Sequence, residues 1–259
     1  MTSAPLPRLL NIMKRLRDPR TGCEWDRAQT FETIAPYTIE EAYEVADAIE
    51  RSDLDALKGE LGDLLLQVVF HSQIASELGE FDFDDVANAI ADKMVARHPH
   101  IFGSDSNSTM NEQRWEDIKA AERAADGERS AMDGIALALP AALRAYKLQK
   151  RAARDGFDWP DPSGPSAKLE EEMDELACAK TDCEREEEAG DLMFAAVNLC
   201  RAYGVNAETA LRFANAKFER RYRAMESLSD KHLCDLSLDE QESLWQAVKR
   251  DEADHSVSN

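Results

Sequence analysis

Two short acidic patterns recur in this sequence, and together they could do chemistry. Glu40-Glu41-x-x-Glu44 is followed by Glu60-x-x-Asp63, and Glu171-Glu172-x-x-Glu175 is followed by Glu188-x-x-Asp191. A helix turns about 100° per residue. The three glutamates of each first pattern therefore fall within about a 100° arc, and the two acids of each second pattern lie about 60° apart. Like charges so placed repel by about a few tenths of a kcal/mol per pair in water, and by far more where water is excluded. Exclusion is expected at the second pattern, because Asp63 leads into Leu64-Leu65-Leu66-Gln67-Val68-Val69-Phe70 and Asp191 into Leu192-Met193-Phe194-Ala195-Ala196-Val197. A helix apolar nearly all round is buried, inside a bundle or at a subunit interface. If the acid-bearing helices of one half face each other, five carboxylates converge. Too few basic residues stand nearby in sequence to neutralise them, whereas a hard divalent cation would.

The ligand type narrows the cation. All candidate donors are oxygens, and the Glu-x-x-His pairs of di-iron bundles are missing. His71, His98, His100, His232 and His255 do not stand at ligand spacing from the acids. Oxygen-only sites favour Mg²⁺, with Mn²⁺ as a substitute, and Mg²⁺ held by carboxylates is typically completed by substrate phosphates. The metal therefore points to a phosphate-bearing substrate. The competing reading is a set of solvated helix faces, with Glu41 serving as a capping-box residue for Thr38. The doubling of the patterns, each entering an apolar helix, favours the functional reading.

The elements that must position these acids are helices. Strand patterns are nearly absent, and apolar periodicity predicts helices near 5–17, 38–51, 54–78, 83–97, 111–125, 135–154, 167–180, 184–203, 207–228 and 239–252. Asp53 and Asn206 suit N-caps, and Gly79 and Gly204 stand where helices should stop. Polar stretches at 103–111, 126–134 and 159–166 read as loops. Five landmarks recur in order in both halves of the chain. Lys14-Arg15 with Gly22-x-x-Trp25 corresponds to Lys150-Arg151 with Gly156-x-x-Trp159, and the two acid patterns follow. Lys93-x-x-x-Arg97 then corresponds to Lys217-x-x-x-Arg221, and Trp115-x-x-x-Lys119 to Trp245-x-x-x-Lys249. The expected architecture is a tandem duplication in an all-α chain, with modules at 1–128 and 129–259.

Composition excludes several classes. With 52 Asp and Glu against 31 Lys and Arg, the net charge of −21 opposes binding to nucleic acid or an anionic membrane surface. Five cysteines without a C-x-x-C pair argue against a disulfide framework or structural zinc and fit a reducing cytoplasm. No apolar run approaches a membrane span, and the first residues lack a signal core.

On these landmarks the chain resembles the MazG family of all-α nucleoside triphosphate pyrophosphohydrolases over nearly its whole length. The resemblance rests on Leu9–Trp25, Thr38–Glu44, Gly59–Phe70, Asp92–Phe102 with His98-Pro99-His100, and Lys217–Arg221. The combined acid patterns are that family's metal motif. They are shared with dUTPases, dCTP pyrophosphatases and a histidine-biosynthesis pyrophosphohydrolase, and the tandem layout narrows the match to MazG. The resemblance implies a homodimer of four-helix modules with intertwined helices. It implies Mg²⁺-dependent hydrolysis of NTPs and dNTPs, with broad base tolerance, to monophosphate and pyrophosphate, in nucleotide-pool cleansing or stress-nucleotide control. It places the main activity in the carboxyl-terminal module, with metal on Glu172, Glu175, Glu188 and Asp191 and catalytic roles for Glu171 and Glu172. Glu171 is the candidate acceptor of a water proton. Lys168, Glu171, Lys217, Arg220, Arg221, Trp245 and Lys249 would contact nucleotide, Trp245 either stacking on a base or anchoring the core. The amino-terminal module keeps Glu40, Glu41, Glu44, Glu60 and Asp63 for metal and Lys93 and Arg97 for nucleotide. Ala96 stands there where the second copy has Arg220, so unequal phosphate binding is expected. The alternatives are a hydrolase restricted to dUTP or an alarmone, and a non-enzymatic helical regulatory dimer.

Overall fold

A computed structural model describes residues 4–103, 112–125 and 130–256. The expected all-α class is met: among the described residues every regular element is a helix. The chain divides into two compact units, residues 1–120 and 121–259. The boundary expected at 128/129 lies outside the described residues, as do positions 104–111 and 126–129 of the expected loops. No helix among the described residues is long and apolar enough to cross a membrane.

In unit 1, α1 (Pro5–Leu16) and α5 (Phe83–Arg97) pack against α4 (Leu54–Leu78), and α4 forms a hairpin with α3 (Phe31–Glu50). The short α2 (Glu24–Ala28) and α6 (Pro99–Phe102) were not expected from periodicity, being too brief to show any. Helix α7 (Glu112–Ala125) follows. Met13, Ile34, Val69, Phe70 and Ile74 form the core, bordered by Leu66 and Phe83. The α4 ends are as expected: Asp53 accepts from the Ala56 amide, and Gly79 closes the helix at φ +77°, a left-handed conformation that glycine adopts without strain.

Helix α3 begins seven residues earlier than the expected 38. Thr30 and Thr33 form the capping box, and Thr38 lies within the helix, bonded instead to the His71 ring at 3.1 Å. The helix runs through Pro36 because the hydrogen bond that proline lacks would go to Glu32, an exposed carbonyl in the first turn that water can serve. Glu41 is therefore no cap.

In unit 2, α9 (Ser163–Cys178) and α10 (Asp182–Ala202) form the corresponding hairpin. Helix α8 (Ala141–Arg154) packs on α10 and α11 (Ala207–Leu228), and α11 pairs with α12 (Leu238–Ser256). Met225, Leu233 and Val248 form a second core with Trp245 against it. The expected helix at 135–154 starts only at Ala141, since Pro140 drives the residue before it out of the helical region. Conversely, the expected loop at 159–166 is helical from Ser163. Pro165 falls in the first turn, where its missing N–H costs nothing. Gly164 is required there: a Cβ would meet the Trp159 ring at 2.0 Å.

The apolar runs on α4 and α10 are not buried all round within the chain. Val69, Phe70 and Ile74 face the core, while Leu61, Leu65, Val68, Met193 and Phe194 are exposed.

Unit 1 is pinned by Arg17. Its guanidinium donates to Glu77 at 2.7 to 3.1 Å and to the carbonyl of Gln29 at 3.2 Å, joining the α1 end and the α2 segment to α4. Burial pushes the Glu77 carboxyl up, but hydrogen bonds from Arg17 and Gln73 hold it below its ordinary value. Arg17→Ala should lower unit 1 stability by about 2–3 kcal/mol, a buried-pair loss discounted for the partial exposure of Glu77. Urea unfolding measures the loss, and faster amide exchange in α4 locates it.

Candidate functional site

The α3–α4 hairpin puts the acids of unit 1 face to face. Carboxylate oxygens of Glu41, Glu60 and Asp63 lie within 4.8 Å of one another. The α9–α10 hairpin does the same for Glu172, Glu188 and Asp191. The two triads are equivalent in register: Glu41 corresponds to Glu172, Glu60 to Glu188 and Asp63 to Asp191. Of the five acids in each half, each hairpin thus brings three to one point. Glu44 lies close enough to raise Glu60, and Glu175 close enough to raise Glu188, while Glu40 and Glu171 are exposed at the rim.

The electrostatics are those of crowded anions. Burial, then Asp63, Glu44, Glu60 and Glu40, push the Glu41 carboxyl up from its ordinary value. Burial, then Glu44 and Asp63, raise Glu60. Burial, then Glu175, Glu172 and Asp191, raise Glu188. The units differ in what faces the triad. In unit 1 the Gln67 amide stands 3.5 Å from Glu41. In unit 2 Lys168 donates to Glu172 at 2.6 Å and to Glu171 at 2.9 Å, and those bonds raise its pKa.

Glu172 is 3% exposed, and its Oε2 is buried without a hydrogen-bond partner. A buried carboxylate oxygen left unsatisfied is costly. An all-oxygen triad with one such orphan fits a hard divalent cation.

Beside the unit 2 triad opens a cavity of about 520 Å³. Lys168, Glu172 and Asp191 stand on its wall with Gln149, Trp159 and Asn198. Arg201 also lines it, its guanidinium bonded to Asp158 at 2.9 Å, which holds that carboxyl below the usual carboxylate range. The corresponding hollow in unit 1 is about 230 Å³ and is lined by Met13, Ile34, Tyr37, Leu66, Gln67 and Phe70 among others. Gln149, Asn198 and Arg201 were not singled out from sequence. Aligning the repeats finds them, because they replace Met13, Phe70 and Gln73 of the first copy.

The expected nucleotide-contacting residues of α11 and α12 do not line this cavity. Lys217, Arg220 and Lys249 are exposed. Arg220 and Arg221 share Glu252, at 3.0 and 2.8 Å, and Arg221 lies over the Trp245 ring, 5.5 Å from its centroid. Unit 1 repeats that stack with Arg97 over Trp115 at 5.1 Å. Trp245 also contacts Phe218 and the Met225 core, so within the chain it serves as an anchor. Lys93 is exposed on α5.

Comparison with known proteins matches these features. The profile of the MazG nucleotide pyrophosphohydrolase domain matches residues 29–102, the span carrying the first triad. The chain is similar to the nucleoside triphosphate pyrophosphohydrolase of Escherichia coli K12, with 51% identity over 96% of this chain and 98% of that protein. It is 45% identical to the nucleoside triphosphate pyrophosphohydrolase/pyrophosphatase MazG of Thermotoga maritima, over 93% of this chain and 94% of that one. It is 42% identical to YabN of Bacillus subtilis, over 93% of this chain and 51% of that longer protein.

The raised carboxyls set a pH dependence. Because folding raises Glu41, Glu60 and Glu188, their contribution to stability is present below the ordinary carboxylate range. It is lost as the pH rises through the raised values. A cation that prefers the ionised forms restores it. Mg²⁺ at about a hundred times its dissociation constant should add about 2.7 kcal/mol to stability at neutral pH. Differential scanning calorimetry should show this gain shrinking on acidification, as protons displace the metal.

Proposed function

We propose that this chain, which belongs to the MazG nucleotide pyrophosphohydrolase family, hydrolyses nucleoside triphosphates to monophosphate and pyrophosphate with Mg²⁺ at its acid triads. The observation that carries the reading is the buried, unpartnered Glu172 oxygen in a three-carboxylate cluster at the edge of a nucleotide-sized cavity. Unit 2 is assigned the main activity, since the cavity beside its triad is the larger, about 520 against 230 Å³, and carries Lys168, Glu172 and Asp191 on its wall.

Glu172, Glu188 and Asp191 would hold the metal, with Glu175 in support. Mg²⁺ bound there supplies charge neutralisation and Lewis acidity toward the triphosphate. Water adds across the anhydride between the α- and β-phosphoryl groups, and pyrophosphate departs. Glu171 takes the water proton, oriented by its 2.9 Å bond from Lys168. Lys168 also screens the incoming phosphates from the acids. Lys217, Arg220, Arg221 and Lys249 are assigned to phosphate charge, the arginines exchanging Glu252 for phosphate oxygens. In unit 1 the same metal role falls to Glu41, Glu60 and Asp63, supported by Glu40 and Glu44, with Lys93 and Arg97 as the phosphate pair.

Exposed Leu61, Leu65 and Val68 on α4, and Met193 and Phe194 on α10, support a homodimer that covers these faces. The net charge of −21 supports free nucleotides rather than nucleic acid or membrane as partners. Broad base tolerance and a role in cleansing the nucleotide pool or lowering a stress nucleotide complete the proposal.

Glu172→Ala and Asp191→Ala should each lower Mg²⁺-dependent pyrophosphate release by about 10³-fold with circular dichroism unchanged. Asp63→Ala should lower it far less. Orthophosphate as the product across a panel of NTPs and dNTPs would sink the reaction, and turnover of one base alone would narrow its scope.

A further inference from the structure

Gln149 sits on the cavity wall of unit 2 and is 6% exposed. Its Nε2 donates to the Phe194 carbonyl at 2.8 Å, and its Oε1 has no partner. The amide is thus pinned at one end and unsatisfied at the other, which costs about 1–3 kcal/mol unless an N–H or O–H arrives. Asn198 lines the same cavity and is 8% exposed. Its Oδ1 accepts from Arg201 at 3.0 and 2.7 Å, which leaves the Nδ2 amide as the end available to a ligand. Phe194 and Asn198 are four residues apart on α10, so Gln149's anchor and Asn198 share one helix face about a turn, or 5.4 Å, apart. One acceptor and one donor therefore stand near each other on a wall they share with apolar Leu148, Trp159 and Phe194.

The first copy shows what this wall looks like without that task. Met13 and Phe70 occupy the corresponding places and are 2% and 4% exposed, packed into the unit 1 core. Two buried amides in place of two core apolar residues give up packing and must be compensated by hydrogen bonds. The cavity volume of about 520 Å³ falls within the range of about 300–1,000 Å³ usual for small-molecule sites.

We infer that Gln149 and Asn198 grip the nucleobase of the substrate, Gln149 accepting an N–H from its Watson–Crick edge and Asn198 donating to an adjacent ring nitrogen or carbonyl. The inference rests on the triphosphate-hydrolysis reading. Adenine, guanine, cytosine and uracil each carry a donor and an acceptor on that edge. The pair therefore registers that a base is present while discriminating weakly among bases. Trp159, held over Gly164, offers an apolar wall to the ring. The triphosphate then extends toward Lys168, Glu172 and Asp191 on the same cavity rim.

The test compares substrates with and without a base. Steady-state kinetics of pyrophosphate release would be measured for ATP, GTP, CTP, UTP and ribose 5-triphosphate, with wild type, Gln149→Met and Asn198→Asp. The methionine is the residue of the first copy. The aspartate keeps the oxygen that Arg201 uses and removes the donor. Each variant should raise KM about tenfold for all four NTPs, the worth of one hydrogen bond. For ribose 5-triphosphate KM should change by less than about twofold. Unchanged KM for the NTPs, or an equal rise for ribose 5-triphosphate, would overturn the assignment while leaving the reaction intact. Wild type that releases no pyrophosphate from any NTP would overturn the reaction and this assignment with it. Should Gln149→Met fail to fold, Asn198→Asp decides alone.

Discussion

Three carboxylates held within 4.8 Å of one another repel, and the helical hairpins of this protein hold two such groups. The repulsion is visible in the upward shifts of Glu41, Glu60 and Glu188, each owed first to burial and then to neighbouring acids. Packing elsewhere must offset it. In unit 1 the offset comes from the Met13–Ile34–Val69–Phe70–Ile74 core and from the Arg17–Glu77 clasp. In unit 2 Lys168 reaches across one turn of α9 to Glu172 and Glu171, where unit 1 has Tyr37 at the corresponding position. The hairpin is what holds the oxygens together against the repulsion.

The two units share one skeleton and differ at one wall. Their triads agree residue for residue, and both stack an arginine on a tryptophan, Arg97 on Trp115 and Arg221 on Trp245. They part at the wall beside the triad. Unit 1 closes it with Met13, Ile34 and Phe70, gaining core. Unit 2 sets Gln149, Pro165 and Asn198 there, giving up core for a larger cavity. The copies thus keep the same acid triad and differ in the space beside it through side-chain volume and polarity at a few positions, with no change in topology.

The helical class, the paired acids and the repeat were legible in the sequence, because each is a matter of period. Acids at i and i+3 share a helix face whatever surrounds them, and Asp53, Gly79 and Asn206 mark ends by local geometry alone. Where proline governed a boundary, the reading went wrong in both directions. Pro165 sits in a first turn where a missing N–H is cheap and Pro36 where the orphaned Glu32 carbonyl is open to water, while Pro140 delays the start of a helix that periodicity begins earlier. The basic residues of α11 were read as aimed at phosphate, and the fold gives two of them an internal partner, Glu252, thirty or more residues away in sequence.

By itself, then, the sequence determined that five acids per half lie on neighbouring helix faces and offer only oxygen donors, since helical period and ligand type are local properties. Which three acids converge, which oxygen is left buried without a partner, and that the cavity beside the Glu172 triad is the roomier among the described residues were decided by tertiary structure. These depend on hairpin register and on side chains brought together from α8, α9 and α10, whose distances no local pattern encodes.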